Sequence, residues 1–137
     1  MKKLFGISLL LLALSPVQAA LAGCLKYEPE IVSISGIVDR QIYPGRPNYE
    51  SVEDGDEPVS VWVLKLNSPI CVLGSNEIDV EEMGQAEVQM VLDGKQYKKY
   101  QSLVGKNVVV LGRLFHSHSG HHYRKLLITV GEIRNGA

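Results

Sequence analysis

The 137-residue sequence has few cysteines, tryptophans and phenylalanines: two, one and two. Two cysteines are too few for a disulfide-rich scaffold, and the absence of a C-x-x-C pair argues against redox chemistry. No apolar run reaches the roughly 20 residues of a membrane-spanning helix. The 14 basic residues do not outnumber the 15 acidic ones. Because nucleic-acid affinity depends mainly on cationic side chains, this composition argues against nucleic-acid binding.

The sequence also lacks the motifs of nucleophilic catalysis. It contains no G-x-S-x-G turn and no aspartate spaced to pair with its histidines, and its closely spaced carboxylates lie in one flexible segment. We therefore expect a non-catalytic protein, in which only a bound metal could support an activity. A hydrophobic content of 45% and a charged content of 21% are typical of one soluble globular domain.

The first residues have the three parts of a secretory signal. Lys2 and Lys3 form a basic start, an apolar run follows over residues 4–14, and small residues come next. We expect residues 1–22 to be a signal peptide and residues 23–137 to form a single domain. Removal of the two lysines leaves 12 basic residues against 15 acidic ones, a mature net charge of −3. The predicted location is the bacterial periplasm.

The segment around Cys24 permits two routes of export. Residues 20–22 fit ordinary signal peptidase, whereas residues 21–24 fit a lipobox, in which Cys24 is acylated and anchors a lipoprotein. The soluble route is favoured because a proline and a polar residue separate Cys24 from the apolar run, and because two cysteines in an oxidising compartment normally pair. A bridge from Cys24 to Cys71 would close a loop of 47 residues and contribute about 4 kcal/mol to stability.

Hydrophobic periodicity predicts five strands and one helix. The strands are expected over residues 31–42, 59–66, 86–92, 107–115 and 123–133. Spacings of three and four predict a short helix over 97–104, capped by Gly105. Gly36 indicates a bend in the first strand, and Trp62 is expected in the core.

The predicted connections complete this pattern. A long loop is expected over 43–58, between the first two strands. The second strand is expected to end at 67–69, with a brief continuation over 70–72. A polar loop over 76–82 and a turn at 117–120 complete the predicted connections. The predicted order is three strands, a helix and two further strands. This is the order of the OB-fold, a five-stranded Greek-key barrel. A β-sandwich is the second choice, since it would show more strands and no intervening helix.

All four histidines lie within one seven-residue segment, as His116, His118, His121 and His122. If residues 117–120 form a hairpin loop, His116 and His121 face each other across the strand pair, and His118 supplies a third nitrogen. Zinc or copper would suit such a metal site. The alternative is a partly exposed hairpin whose histidines pack without metal or titrate near neutral pH.

The loop between the first two strands is a second candidate binding surface. Its candidate residues are aromatic, basic and acidic: Tyr43, Arg46, Tyr49, Glu50, Glu53, Asp54 and Asp56, with Glu57 beside them. In an OB-fold this loop and the loop joining strands four and five flank the same face, so we expect the carboxylate-bearing loop to lie near the histidine hairpin. Such a surface suits a cationic protein or a mixed nitrogen and oxygen metal site. The alternative is a structural loop whose charges are merely solvated.

Four segments together carry a resemblance to a known family. They are residues 24–29 (CLKYEP), 44–51 (PGRPNYES), 69–72 (PICV) and the hairpin over 112–122. These segments resemble an uncharacterised secreted bacterial family, a domain of unknown function (DUF4431). The resemblance implies a disulfide between Cys24 and Cys71, which disfavours the lipobox, and it implies no activity. Ser119 stands where the family often has threonine, a change that leaves the turn unaffected.

These observations predict a periplasmic, disulfide-linked, OB-fold-like barrel that acts as a binding module. The leading hypothesis is recognition of a protein partner in the cell envelope, such as a cationic protein or a secreted hydrolase, in an inhibitor or immunity-like role. The alternative hypothesis is a transition-metal-binding or metal-dependent envelope protein that uses His116, His118 and His121.

Overall fold

The structure is a computed structural model that describes residues 23–136. The predicted signal peptide, residues 1–22, lies outside the described residues. The elements in chain order are β1 (Leu25–Lys26), β2 (Val32–Pro44), β3 (Pro58–Leu73), β4 (Glu82–Val91), α1 (Gly94–Tyr100), a 3₁₀ turn (Gln101–Leu103), β5 (Asn107–His116) and β6 (Leu126–Asn135). Over residues 23–136, no helix is both long enough and apolar enough to cross a membrane.

The five long strands close into a barrel. β2 pairs antiparallel with β3 and with β5, β3 pairs antiparallel with β4, and β5 pairs antiparallel with β6. A parallel pairing of β4 with β6 completes the ring. This strand order, with α1 between β4 and β5, is that of the OB-fold, so the predicted fold is confirmed.

The barrel interior is filled by alternate residues of the strands. Val38, Leu64, Val88, Val110 and Ile128 have no solvent exposure and come from all five long strands. Alternation places every second residue of a strand on the same face, which explains why the sequence pattern located these strands.

Trp62 of β3 belongs to this core, as predicted, with 5% of its surface exposed. Its ring packs edge-to-face against Tyr97 of α1, with ring centroids 5.0 Å apart. The helix therefore covers one end of the barrel through an aromatic pair.

The helix begins earlier than predicted, at Gly94. The Asp93 side chain accepts a hydrogen bond from the backbone N–H of Gln96, and the Gln96 side chain accepts one from the backbone N–H of Asp93. This reciprocal capping box satisfies two N–H groups at the helix start. The α-helix ends at Tyr100, the 3₁₀ turn continues it to Leu103, and Gly105 then adopts a φ of +83°.

The predicted end of the second strand at residues 67–69 is wrong. β3 continues to Leu73, and its pairing with β4 shifts register between Lys65 and Ile70. Such an irregularity tolerates Pro69, which cannot donate a ladder hydrogen bond. β4 likewise starts at Glu82, before the predicted residue 86.

The predicted disulfide between Cys24 and Cys71 is confirmed. The two Cα atoms are 4.7 Å apart, and β1 pairs parallel with the end of β3, where Leu25 lies opposite Val72. Because the Cys24 sulfur is bonded to Cys71, it is not available for acylation in this form of the protein.

Gly36 lies where β2 is paired with β3 on one side and with β5 on the other. It is opposite Leu66 of β3 and Val108 of β5, and a Cβ at this position would collide with the backbone of Lys65. Only glycine allows the backbones to approach this closely.

Replacement of Gly36 by alanine should lower the free energy of unfolding by about 1–3 kcal/mol, because the adjacent backbone must shift to admit the methyl group. Gly94→Ala is the control, since a Cβ there meets nothing within 4 Å. Urea unfolding of both variants measures the difference. Equal losses of stability in the two variants would contradict this explanation.

Candidate functional site

The loop between β2 and β3, residues 45–57, is called the acidic loop here, and one buried carboxylate holds it. Asp56 is 4% exposed. Its oxygens accept hydrogen bonds from the backbone N–H groups of Ser51, Glu50 and Asn48 at 2.9, 2.8 and 2.8 Å. These bonds hold the pKa of Asp56 below its ordinary value of 3.8. Asp56, predicted as a binding residue, therefore orders the loop from inside.

Backbone hydrogen bonds extend the β2–β3 hairpin into this loop. The N–H of Gly45 donates to the carbonyl of Glu57 at 2.6 Å, and the N–H of Glu57 donates to the carbonyl of Arg46 at 2.7 Å. The remaining candidate residues of the acidic loop are exposed: Arg46, Tyr49, Glu50, Glu53 and Asp54. Across residues 23–136, no ion pair engages these three carboxylates.

The loop between β5 and β6, residues 117–125, is called the histidine loop here and is longer than the predicted turn. His116 is the last residue of β5 and lies opposite Leu126. The predicted pairing of His116 with His121 across a four-residue turn is therefore wrong. β6 begins only at Leu126, because residues before it are bound to β2 and β4, as described below.

His116 is fixed by polar groups on three sides. Its Nε2 lies 2.9 Å from Oε1 of Glu82, and its Nδ1 lies 3.1 Å from the carbonyl oxygen of Ser117. Its backbone N–H donates to Oδ1 of Asp79 at 2.9 Å. Both ring nitrogens of His116 are thus engaged within the protein.

The other histidines occupy different surroundings. The backbone N–H of His118 donates to Nδ1 of His122 at 2.9 Å, and their ring centroids are 4.7 Å apart. Phe115 packs against both of these rings. The structure does not bring His116, His118 and His121 together, and the described part of the chain contains no group of three or more His, Cys, Asp or Glu side chains placed to hold one metal ion.

The acidic loop and the histidine loop meet through aromatic contacts. The ring of Tyr49 lies edge-to-face with the ring of His121, with centroids 5.8 Å apart. Tyr43, at the end of β2, stacks on Tyr123 with centroids 4.1 Å apart and an interplanar angle of 13°. The predicted proximity of the acidic loop and the histidine loop is thus confirmed, and the two loops together are called the loop pair.

Arg124, which no motif in the sequence indicated, holds the histidine loop on the barrel. Its Nε donates to Oε2 of Glu87 at 2.6 Å, its Nη1 to the Tyr43 hydroxyl at 2.7 Å and its Nη2 to Oε1 of Gln41 at 2.7 Å. Burial opposes the charge, but the bonds to Tyr43 and Glu87 outweigh it and raise the pKa of Arg124. The guanidinium thereby joins the histidine loop to β2 and β4.

Gln89 of β4 also binds the histidine loop through its side-chain amide. It is 7% exposed, its Nε2 donates to the carbonyl of His121 at 3.2 Å, and its Oε1 accepts from the backbone N–H of Tyr123 at 2.6 Å. Val63 and Leu127 lie beside Gln89 in neighbouring strands and are fully buried. The histidine loop therefore covers the outer barrel face that OB-folds use for oligonucleotides and oligosaccharides.

Part of the chain matches a known protein family. Residues 87–134 match a family described as a domain of unknown function (DUF4431). The resemblance seen in the sequence is confirmed over this stretch. It runs from Glu87 through α1, β5 and the histidine loop into β6, and the acidic loop lies outside it. A search of curated proteins found no match.

Asp56→Asn should loosen the acidic loop, because an amide cannot accept three backbone hydrogen bonds as a carboxylate does. Amide hydrogen exchange at Asn48, Glu50 and Ser51 should become at least about tenfold faster. The exposed Asp54→Asn is the matched control and should leave these rates unchanged. In the unmodified protein, protection should be present above pH 3.8 and lost as the pH falls through the lowered pKa of Asp56. Equal exchange in both variants would contradict the role of Asp56.

Acidification should loosen the histidine loop. Burial, together with His118 and His121, holds the pKa of His122 below 6.5, so protonation of His122 is less favourable in the folded state. Its stabilising contribution should be complete above pH 6.5 and fall as the pH drops through the lowered pKa. An NMR titration of the ring should give a midpoint below that of the urea-unfolded protein, and an equal or higher midpoint would overturn the prediction.

Proposed function

We propose that this chain is an exported, non-catalytic binding module that recognises a cationic protein partner in the periplasm through the loop pair. The observation that carries the proposal is the acidic loop itself. It is ordered from inside by Asp56, and it presents Glu50, Glu53 and Asp54 next to the exposed ring of Tyr49. An ordered loop loses little conformational freedom on binding, which favours recognition.

Carboxylates also lie beside the histidine loop, near Phe115 and His118. A cleft of about 530 Å³ lies there, lined by carboxylate, amide, imidazole and apolar side chains: Glu28, Asn76, Glu77, Ile78, Asp79, Phe115 and His118. Ile78 is 57% exposed. Exposed apolar and aromatic side chains among carboxylates suit a partner that carries lysine or arginine beside apolar groups.

Export is supported by two observations. The chain begins with a segment that has the composition of a signal peptide, and its two cysteines form a disulfide. Disulfides persist in oxidising compartments such as the bacterial periplasm. A secreted hydrolase is the class of cationic partner that we favour, and the corresponding role is that of an inhibitor or immunity-like protein.

Two cationic probes test the electrostatic part of this proposal: egg-white lysozyme, as a secreted hydrolase, and a poly-lysine peptide. We expect both to bind, and the triple variant Glu50→Gln, Glu53→Gln, Asp54→Asn to associate about tenfold more slowly at low salt. The difference should shrink as salt is raised, because exposed charges are screened. Stopped-flow or surface-plasmon-resonance measurements give these rates.

The control neutralises three exposed carboxylates outside both loops, as Glu30→Gln, Glu81→Gln, Glu132→Gln, of which Glu132 is paired with Arg134. It changes the net charge equally, so any effect of overall charge alone appears in both triple variants. Equal association rates of the two triple variants, or no binding of either probe, would count against the loop pair as a recognition surface.

The metal hypothesis for His116, His118 and His121 stays a prediction. His118 and His122 are the histidines that lie closest together, with ring centroids 4.7 Å apart. Calorimetric titration with zinc and copper tests it, with the His116, His118 and His121 triple alanine variant alongside. Binding that is lost in the variant would support a metal site, and binding that is retained would contradict it.

A further inference from the structure

A second cleft lies on the opposite face of the β2–β3 hairpin from Arg124. It has a volume of about 450 Å³ and is lined by polar, cationic and aromatic side chains: Arg40, Ser60, Trp62, Tyr97, Lys98, Gln101, Ser102 and Val104. Arg40 is paired with Trp62 in the β-ladder, whereas Gln41 is paired with Val61. Because successive residues alternate between faces, this cleft is separated from the Gln41 and Arg124 network by the sheet.

The rim of this cleft is cationic. Arg40 and Lys98 are exposed, and the lining contains no carboxylate. Within the part of the chain described, neither cation takes part in an ion pair. Lys95 of α1 lies beside Lys98 in an adjoining cleft, which Asp93 also lines. A positive surface of this kind stands out in a chain whose formal net charge is −1.

The floor of the cleft is aromatic and fixed by packing. Trp62 is held in the core, and its edge-to-face contact with Tyr97 sets the position of the second ring. Val104 adds an apolar side to this floor. Burial raises the pKa of Tyr97, so its hydroxyl remains protonated and can donate a hydrogen bond.

The rim is partly ordered as well. Nε of Arg40 donates to Oγ of Ser60 at 2.9 Å, which restrains the guanidinium and leaves its terminal N–H groups for a ligand. A guanidinium recognises carboxylate and phosphate groups through paired N–H donors, and a lysine ammonium adds a second positive charge.

We propose that this cleft is a binding site for a small organic anion, in which a phosphate or carboxylate group is carried on an apolar ring. The anionic group is held by Arg40 and Lys98, and the ring lies against the floor formed by Tyr97, Trp62 and Val104. The cleft volume falls within the range of small-molecule sites. The proposal is independent of the loop pair, because no lining residue belongs to either loop.

Trp62 provides the measurement, since it is the one tryptophan of the chain and lines the cleft. Phenyl phosphate and benzoate are the two anionic probes, and they separate phosphate from carboxylate as the preferred group. Inorganic phosphate tests whether the ring is required, and neutral phenyl glucoside tests whether the charge is required. We expect a saturable change in Trp62 fluorescence with at least one anionic aromatic probe, confirmed by calorimetry, and weaker binding of the other two compounds.

Matched variants assign the binding to the cleft. Arg40→Gln and Lys98→Gln should each weaken binding about tenfold, as expected for loss of one charge-assisted contact. Arg40→Lys keeps the charge and should retain more affinity than Arg40→Gln. Lys26→Gln is the control: it also removes one exposed cation, but Lys26 lies opposite Leu73, far along β3 from Trp62. Circular dichroism establishes that each variant is folded.

Three results would overturn the proposal. The first is the absence of a saturable signal with either anionic aromatic probe up to about 10 mM. The second is equal affinity in Arg40→Gln, Lys98→Gln and the unmodified protein. The third is binding of inorganic phosphate or phenyl glucoside as tight as that of the anionic aromatic probes. None of these results bears on binding of cationic proteins by the loop pair.

Discussion

The position of the histidine loop depends on the Arg124 guanidinium. Arg124 binds Glu87 of β4 and both Gln41 and Tyr43 of β2, and thereby joins strands that are not adjacent in the sheet to one loop. Its neighbour Tyr123 stacks on Tyr43. These contacts set where His121 can meet Tyr49. The relative position of the two loops therefore depends on the Arg124 side chain, which belongs to neither exposed face of the loop pair named above.

Order inside the two loops comes from buried polar groups. The Asp56 carboxylate accepts hydrogen bonds from three backbone N–H groups of the acidic loop. The Gln89 side chain donates to a backbone carbonyl of the histidine loop and accepts from one of its N–H groups. Buried polar groups that are fully paired favour one conformation, because any alternative leaves them unsatisfied. The exposed carboxylates and rings are consequently presented on defined backbones.

The barrel could be predicted from sequence because its strands alternate in polarity, and the disulfide could be predicted because only two cysteines exist. The extent of β3 could not, since Pro69 is accommodated by a shift in pairing with β4. Nor could the roles of Asp56 and Arg124. In sequence, Asp56 resembles the exposed carboxylates around it, and the side-chain partners of Arg124 lie 37 to 83 residues away. Strand alternation places Glu87 and Gln89 on the same face of β4, but nothing local in the sequence indicates what covers that face.

Closure of the barrel restricts how any partner can be bound. Each of the five long strands has a neighbour on both sides over part of its length, and the β4–β6 pairing completes the ring. Many peptide-binding domains capture an extended segment by adding it as an extra strand, which requires a free sheet edge. A closed ring offers no such edge along its paired segments. A partner that binds along the paired segments must therefore be recognised by side chains. Substitutions at the surface can then change which partner binds without altering the main-chain hydrogen bonds of the fold.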